Sequence, residues 1–223
     1  MLVVCPNCGE YTPEKLVFPG ESDSSGRTAF AECPGCGYTA RFLRLPLFLV
    51  TGPSGVGKTT VSEILPLKLP QCVVLESDVL WRKEFDTPTD DYQDFHNTWL
   101  GLARDIQQCG KPVVLCGTVV PDQLEGLVQR RFFARLYYLA LVCRRVDVLK
   151  KRLEERPAWR YHHTDRKATI ERTVRFNSWF LKNAGKTKPV MSLLDTSEST
   201  REDVVSGVAE WVLGELRGAP GPG

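Results

Sequence analysis

A chain of 223 residues with 29 Lys and Arg, 27 Asp and Glu and a net charge of +2 has room for one α/β domain and a small appendage, and it lacks the basic excess usual in nucleic-acid modules. Its five Trp suit a packed core, and apolar runs such as Leu136–Cys143 are far too short to span a bilayer. Met1–Pro6 carries no basic n-region and no long apolar stretch, so a cytoplasmic protein with no membrane partner is expected.

Residues 1–44 are rich in Gly, Pro and Ser and hold two short motifs, Cys5-Pro-Asn-Cys8-Gly and Cys33-Pro-Gly-Cys36-Gly. So short a segment buries too little apolar surface to fold unaided, and a metal supplies the missing staple. Each Cys-x-x-Cys turn offers two thiolates, and four together make the tetrahedral sulfur set that Zn²⁺ prefers. Between them, Lys15–Phe18 and Thr28–Glu32 read as strands joined by a loop over Gly20–Gly26, which predicts a β-hairpin within a zinc ribbon. With all four positions filled by protein, the expected role of the metal is structural. The other cysteines, Cys72, Cys109, Cys116 and Cys143, are expected to act as small hydrophobes rather than as a disulfide framework.

From residue 45 to 217, apolar runs alternate with helical patterns. Leu47–Val50, Cys72–Leu75, Val113–Cys116, Leu136–Val142 and Val190–Leu194 are apolar on both faces, as buried parallel strands are. Helices are expected over 58–67, 91–109, 121–133, 145–156, 166–183 and 201–216. The alternation predicts an α/β fold of three layers, a parallel sheet with helices on both sides. The Gly- and Pro-rich 218–223 is expected to be a disordered tail.

Gly52-Pro53-Ser54-Gly55-Val56-Gly57-Lys58-Thr59 follows the first of these strands and opens the first helix, which continues with Thr60. This is the Walker A pattern in its required setting: glycines let backbone N–H groups wrap phosphates, and the helix N-terminus adds positive potential. Lys58 is expected to reach the β- and γ-phosphates of ATP, and Thr59 to hold Mg²⁺.

After the second strand come Glu76, Asp78 and Arg82. Ligands of an open parallel sheet lie beyond the carboxyl ends of its strands, so this segment should face the phosphate loop. Asp78 is expected to accept the proton of an acceptor hydroxyl or to assist the metal, and Arg82 to hold an anionic group. Glu76 is equally well read as a helix cap. The third strand ends in Cys116-Gly117-Thr118 where a Walker B strand would end in an acid, which leaves Asp78 as the expected carboxylate near the metal. Gly117 would admit a ligand close to the backbone, and Thr118 offers it a hydroxyl.

Arg152 and Arg156 stand four residues apart on one helix face, ahead of Pro157 and a loop with Trp159, Arg160, His162 and His163. Such a loop would carry arginines over the transferring phosphoryl group and exclude water. The two histidines have no third ligand at a telling spacing.

These residues, over roughly 46–214, resemble the nucleoside and nucleotide kinase group of P-loop proteins. The resemblance implies a sheet order of 2-3-1-4-5, Arg152 near the adenine, Arg156 on the phosphates, and Leu193-Leu194-Asp195-Thr196-Ser197 flanking the base. Small-molecule kinases of that group place an acid like Asp78 near the acceptor hydroxyl. Two departures stand out: Cys116-Gly117 replaces the Asp-Gly of nucleotide kinases, and the ribbon is added at the N-terminus. The implied activity is ATP- and Mg²⁺-dependent phosphorylation of a small-molecule hydroxyl, on a nucleoside or antibiotic-like alcohol. Alternatives are a nucleoside monophosphate kinase, with Arg82, Arg130, Arg131, Arg172 and Arg175 as candidates for its phosphate grip, a polynucleotide 5′-hydroxyl kinase and a nucleotide-controlled binding module. A nucleic-acid partner is not favoured.

Overall fold

The computed structural model describes residues 2–20, 27–158 and 165–218. At the N-terminus β1 (Leu16–Pro19), β2 (Thr28–Glu32) and β3 (Thr39–Leu43) form an antiparallel sheet in that order. The expected hairpin is there, with Phe18 opposite Phe30. The third strand, which the sequence reading did not anticipate, leaves the second cysteine turn and pairs Phe30 with Arg41. Residues 21–26 of the expected loop lie outside the described residues.

The larger unit runs β4 (Leu47–Thr51), α1 (Lys58–Lys68), β5 (Val73–Glu76), α2 (Gln93–Gln107), β6 (Val113–Cys116), β7 (Leu136–Val142), α3 (Val146–Glu154), α4 (Arg166–Asn183), β8 (Ser192–Asp195) and α5 (Arg201–Gly218). All neighbouring strands are parallel and lie in the order β5-β6-β4-β7-β8, which is 2-3-1-4-5 counted within this unit. Alternation sorts their side chains. Phe48 and Val50 face a cluster built with α1, α3 and α5, whereas Leu47 and Leu49 face one built with α2 and α4. Both faces are therefore dry, and every residue of β4 is buried. Truncating Leu49 to alanine there would cost about 2–5 kcal/mol by the usual core-cavity effect.

The helix expected over 121–133 is absent. Two 3-10 turns, Pro121–Gln123 and Val128–Phe132, take its place. Phe133 packs into the sheet cluster while Phe132 joins the ribbon, so adjacent apolar residues are drawn to opposite sides. Glu125 is held by both Arg130 (2.7 Å) and the Tyr138 hydroxyl (3.0 Å), which fixes the irregular path. Gly218 ends α5, and the rest of the expected tail lies outside the described residues.

The ribbon docks where the strands begin. The Gln108 side-chain amide receives the Leu43 N–H at 2.8 Å and donates to the Leu43 carbonyl at 3.1 Å. Phe42 meets Phe132 edge-on at 5.6 Å, and the buried Arg104 guanidinium lies over the Phe132 ring at 5.2 Å. The Walker A loop lies at the opposite end of β4, about 17 Å away for a five-residue strand. Among the described residues no helix is long and apolar enough to cross a membrane.

Candidate active site

The loop from Gly52 to Gly57 is shaped by conformations that side chains avoid. Gly52 has φ +135°, and a Cβ there would lie 2.3 Å from the Leu141 carbonyl oxygen. Gly57, with φ +104°, turns the chain into α1, whose first turn carries no acidic residue and no side-chain cap. Its leading N–H groups therefore point unclaimed into a cleft of about 740 Å³ lined by Ser54, Gly55, Val56, Gly57, Lys58, Thr59 and Thr60. Gly52 lies beneath this lining rather than in it.

The Lys58 ammonium donates to the carbonyls of Gly52 (2.7 Å) and Pro53 (2.9 Å). Burial pushes its pKa down to about 8; Asp78 and Glu76 pull it upward, and Arg156 adds repulsion. Bound phosphates would restore the proton, so nucleotide binding above pH 8 must be coupled to proton uptake. Calorimetry should show affinity that is level below about pH 7.5 and weakens toward tenfold per unit above about pH 8.5, with a buffer-dependent heat. A flat profile would separate Lys58 from the phosphates.

Two carboxylates reach the cleft from β5 and the turn after it. Glu76 and Cys116 stand level on adjacent strands, and Glu76 accepts the Thr59 hydroxyl proton at 2.8 Å. The acid missing from the end of β6 is thus supplied one strand further out. Burial pushes the Cys116 thiol up to about 12, so it stays neutral. The Glu76 side chain caps nothing. Glu76, rather than Asp78, is therefore the carboxylate in contact with Thr59, while both acids line the cleft. Asp78 sits in the turn Ser77–Leu80, held from below by the Trp99 indole N–H on the Ser77 carbonyl (3.0 Å), with the Ser77 hydroxyl 3.3 Å from its carboxylate.

Thr118 and Gly117 also line the cleft. The space above Gly117 is taken by Ser77, whose Oγ would lie 2.2 Å from a Cβ there, so the glycine makes room for that side chain while its backbone stays in the cleft wall. The Thr118 hydroxyl donates to the Gly52 carbonyl at 3.2 Å. Arg152 and Arg156 both line the cleft. Arg152 also donates to the Thr196 carbonyl (2.7 Å) and the Thr196 hydroxyl (3.2 Å), which ties α3 to the β8–α5 turn. That turn adds Ser199, Thr200 and Arg201, which the sequence reading missed. Asp195, expected to contact the cofactor, lies outside the cleft lining. Its carboxylate is taken by the Ser197 hydroxyl (2.6 Å) and N–H (3.0 Å) and by the Arg144 N–H (3.2 Å), so it shapes the turn instead. Arg82 is exposed and lies outside the cleft lining. Arg160, with His162 and His163, lies outside the described residues.

A second pocket of about 560 Å³ adjoins the first. Ser54, Asp78 and Thr118 belong to both. The remaining walls carry the rings of Trp81, Tyr92, Phe95 and Phe176 and the polar groups of Asp86, His96 and Arg172.

At the far end of the molecule, the sulfurs of Cys5, Cys8, Cys33 and Cys36 all lie within 4.8 Å of one another, a cluster that could hold a metal ion. Cys5–Cys36 and Cys8–Cys33 are 3.6 and 3.8 Å apart. Tetrahedral thiolates on zinc stand about 3.8 Å apart, so the set fits. Backbone N–H groups of Cys8 and Asn7 hold the Cys5 thiol below its ordinary range, and the Asn7 side chain and Tyr38 N–H do so for Cys36, whereas the Cys8 and Cys33 thiols, crowded against the other two, are pushed up. Replacing the buried Cys33 with serine should abolish stoichiometric metal binding. Hydrogen exchange should then speed up by orders of magnitude in β1–β3 and little in β4–β8, because the two units have separate cores. Unchanged metal content would refute the site. Of the other cysteines, Cys72, Cys116 and Cys143 are buried as expected, and Cys109 is exposed.

The fold and cleft together define a P-loop protein with the sheet order of the nucleotide kinases and a zinc-ribbon-like cysteine cluster ahead of it. Residues 47–180 match the family model described as AAA domain, and the chain belongs to that family. No curated protein matches it. Similar solved structures include a putative kinase from Chloroflexus aurantiacus, 20% identical, covering 76% of this chain and 97% of that one at a TM-score of 0.51. The YorR protein from Bacillus subtilis, solved with phosphorylated GDP, is 16% identical over 77% and 98%, at 0.50. A tRNA isopentenylpyrophosphate transferase from Bacillus halodurans is 11% identical over 78% and 97%, at 0.51. What this chain shares with them is the fold.

Proposed function

We propose that the protein is an ATP-dependent kinase that transfers the γ-phosphoryl group to a hydroxyl of a small molecule, such as a nucleoside or an antibiotic-like alcohol. The observation that carries this reading is Asp78, which belongs to the walls of both the phosphate cleft and the aromatic pocket beside it. A carboxylate at that junction can take the proton of an acceptor hydroxyl as it attacks the phosphoryl group. Lys58 and the N-terminus of α1 grip the β- and γ-phosphates, and Arg156 balances charge developing on the transferring group. Arg152 fixes the turn that flanks the base. Thr59 would hold Mg²⁺ and Glu76 would orient it, because a hydroxyl that donates its hydrogen bond to Glu76 keeps its lone pairs free for the metal. Magnesium, when bound, neutralises phosphate charge.

Zn²⁺ is the proposed occupant of the four-cysteine cluster, and a cytoplasmic location, where thiols stay reduced, suits it. The placement of the ribbon at the amino ends of the strands speaks against its presenting a polynucleotide end to the cleft.

The test is Mg²⁺-dependent ADP formation by zinc-loaded protein with nucleosides, nucleoside monophosphates, aminoglycoside- and chloramphenicol-like alcohols and a 5′-hydroxyl oligonucleotide. Stimulation by one class of small alcohol is expected. Stimulation by the oligonucleotide alone would overturn the small-molecule reading, and ATP binding without any stimulation would move the chain to a nucleotide-controlled binding module.

A further inference from the structure

Resting on the kinase reading of this site, we infer that the pocket beside Asp78 selects an uncharged, ring-bearing alcohol, with His96 reading a polar atom on the ring and Trp81, Tyr92 and Phe176 packing against its faces.

Charge is the first argument. Among the described residues the pocket wall carries two carboxylates, Asp78 and Asp86, against one guanidinium, Arg172. A phosphate monoester or a sugar acid would bring further negative charge toward that pair, whereas anion sites are built from clustered arginines. None of the other candidate arginines belongs to this wall, and Arg82 and Arg175 are exposed. Arg130 is paired with Glu125 at 2.7 Å, and Arg131 donates to the Val128 and Lys15 carbonyls at the ribbon end.

The second argument is an unmet hydrogen bond. His96 is 6% exposed and lines the pocket, and its Nε2 has no partner among the described residues. Burial lowers its pKa, so the ring is neutral at physiological pH and Nε2 can serve as either donor or acceptor to a ligand. A buried polar atom left unpaired is costly, and this one belongs to a residue of the pocket wall, where a small turn of the ring would bring it to a ligand atom.

The third is the rings. Trp81 is 46% exposed although it sits edge-on to Phe95 at 5.1 Å, so one large apolar face remains open beside the cavity. Tyr92 is held at φ +60°, a conformation bulky residues avoid, by its N–H on the Thr87 carbonyl (3.1 Å) and the Asp90 carboxylate (3.1 Å). Strain of that kind clusters where a side chain must be aimed, and here it aims a ring into the pocket wall.

The experiment compares nucleosides and aryl diols with the matching nucleoside 5′-monophosphates and with aldonic acids, using the zinc-loaded full chain. Transfer is read as ADP formation, and binding as calorimetry on the Asp78→Asn variant. The uncharged ring-bearing alcohols should exceed the anions by about tenfold or more in kcat/KM. His96→Phe and Trp81→Ala should each raise the acceptor KM about tenfold while leaving ATP affinity unchanged. Preference for a monophosphate or sugar acid would overturn this inference and leave the kinase reading standing. Binding of the nucleosides, lost in His96→Phe, with no transfer in the native chain would do the reverse. Unchanged acceptor KM in both variants would remove His96 and Trp81 from recognition and overturn the inference.

Discussion

Replacing Lys58 with alanine should lower phosphoryl transfer about a thousandfold or more and leave the fold intact. The ammonium lies against the Gly52 and Pro53 carbonyls at the mouth of the phosphate loop. No other cation is delivered there by α1, because its remaining basic residue, Lys68, is in the last turn. The loss should fall on kcat/KM for ATP, with most of it in the chemical step, since charge grows on the transferred group as it leaves. Stability should move little. The folded-state pKa of Lys58 is depressed to about 8 from 10.5, so the unfolded chain binds the extra proton between those values. The penalty for burying the charge is therefore fully present below pH 8 and fades as the pH rises toward 10.5. At neutral pH the alanine variant loses two hydrogen bonds and that penalty together, and its thermal midpoint should stay within a few degrees of the native chain's. Single-turnover transfer and circular dichroism on the same sample check both halves. Activity near native would refute the phosphate-loop assignment.

Much of this architecture is legible in the sequence for a simple reason. A strand buried on both faces must be apolar throughout, and Leu47–Val50 and Leu136–Val142 are so. The phosphate loop is equally legible, because its glycines answer to local backbone conformation rather than to distant contacts. What local sequence does not reveal has a common origin in pairings that span the chain. Glu76 gains its place from its register opposite Cys116 on a neighbouring strand, which no local pattern encodes. Asp195 reads in the sequence as a cofactor contact, and in the fold its carboxylate is held by the Ser197 hydroxyl and the Arg144 N–H. The rings of the second pocket come from the turn after β5, from α2 and from α4, three segments with ordinary amphipathic patterns of their own. One signal was available for it: Trp81 beside Asp78, a large ring in a polar turn with no strand or helix to bury it.

The second large effect separates the two acids. Asp78→Asn should lower kcat by about a hundredfold to ten-thousandfold and leave the affinity for magnesium nucleotide unchanged, because an amide keeps the shape of the turn and cannot take a proton. The Ser77 hydroxyl and the Trp99 indole still hold the segment in place. Glu76→Gln should behave differently. Its carboxylate orients the Thr59 hydroxyl, so its loss should raise the magnesium concentration needed for half-maximal rate by about tenfold to a hundredfold. With saturating magnesium, most of the rate should return. Titrations of rate against magnesium for the two variants, with nucleotide affinity measured alongside, distinguish the roles. If Asp78→Asn shifted the magnesium requirement and Glu76→Gln did not, the two assignments would exchange. If Asp78→Asn left kcat unchanged, the acid at the junction of the two pockets would be only a member of the turn, and a different group would have to receive the acceptor's proton.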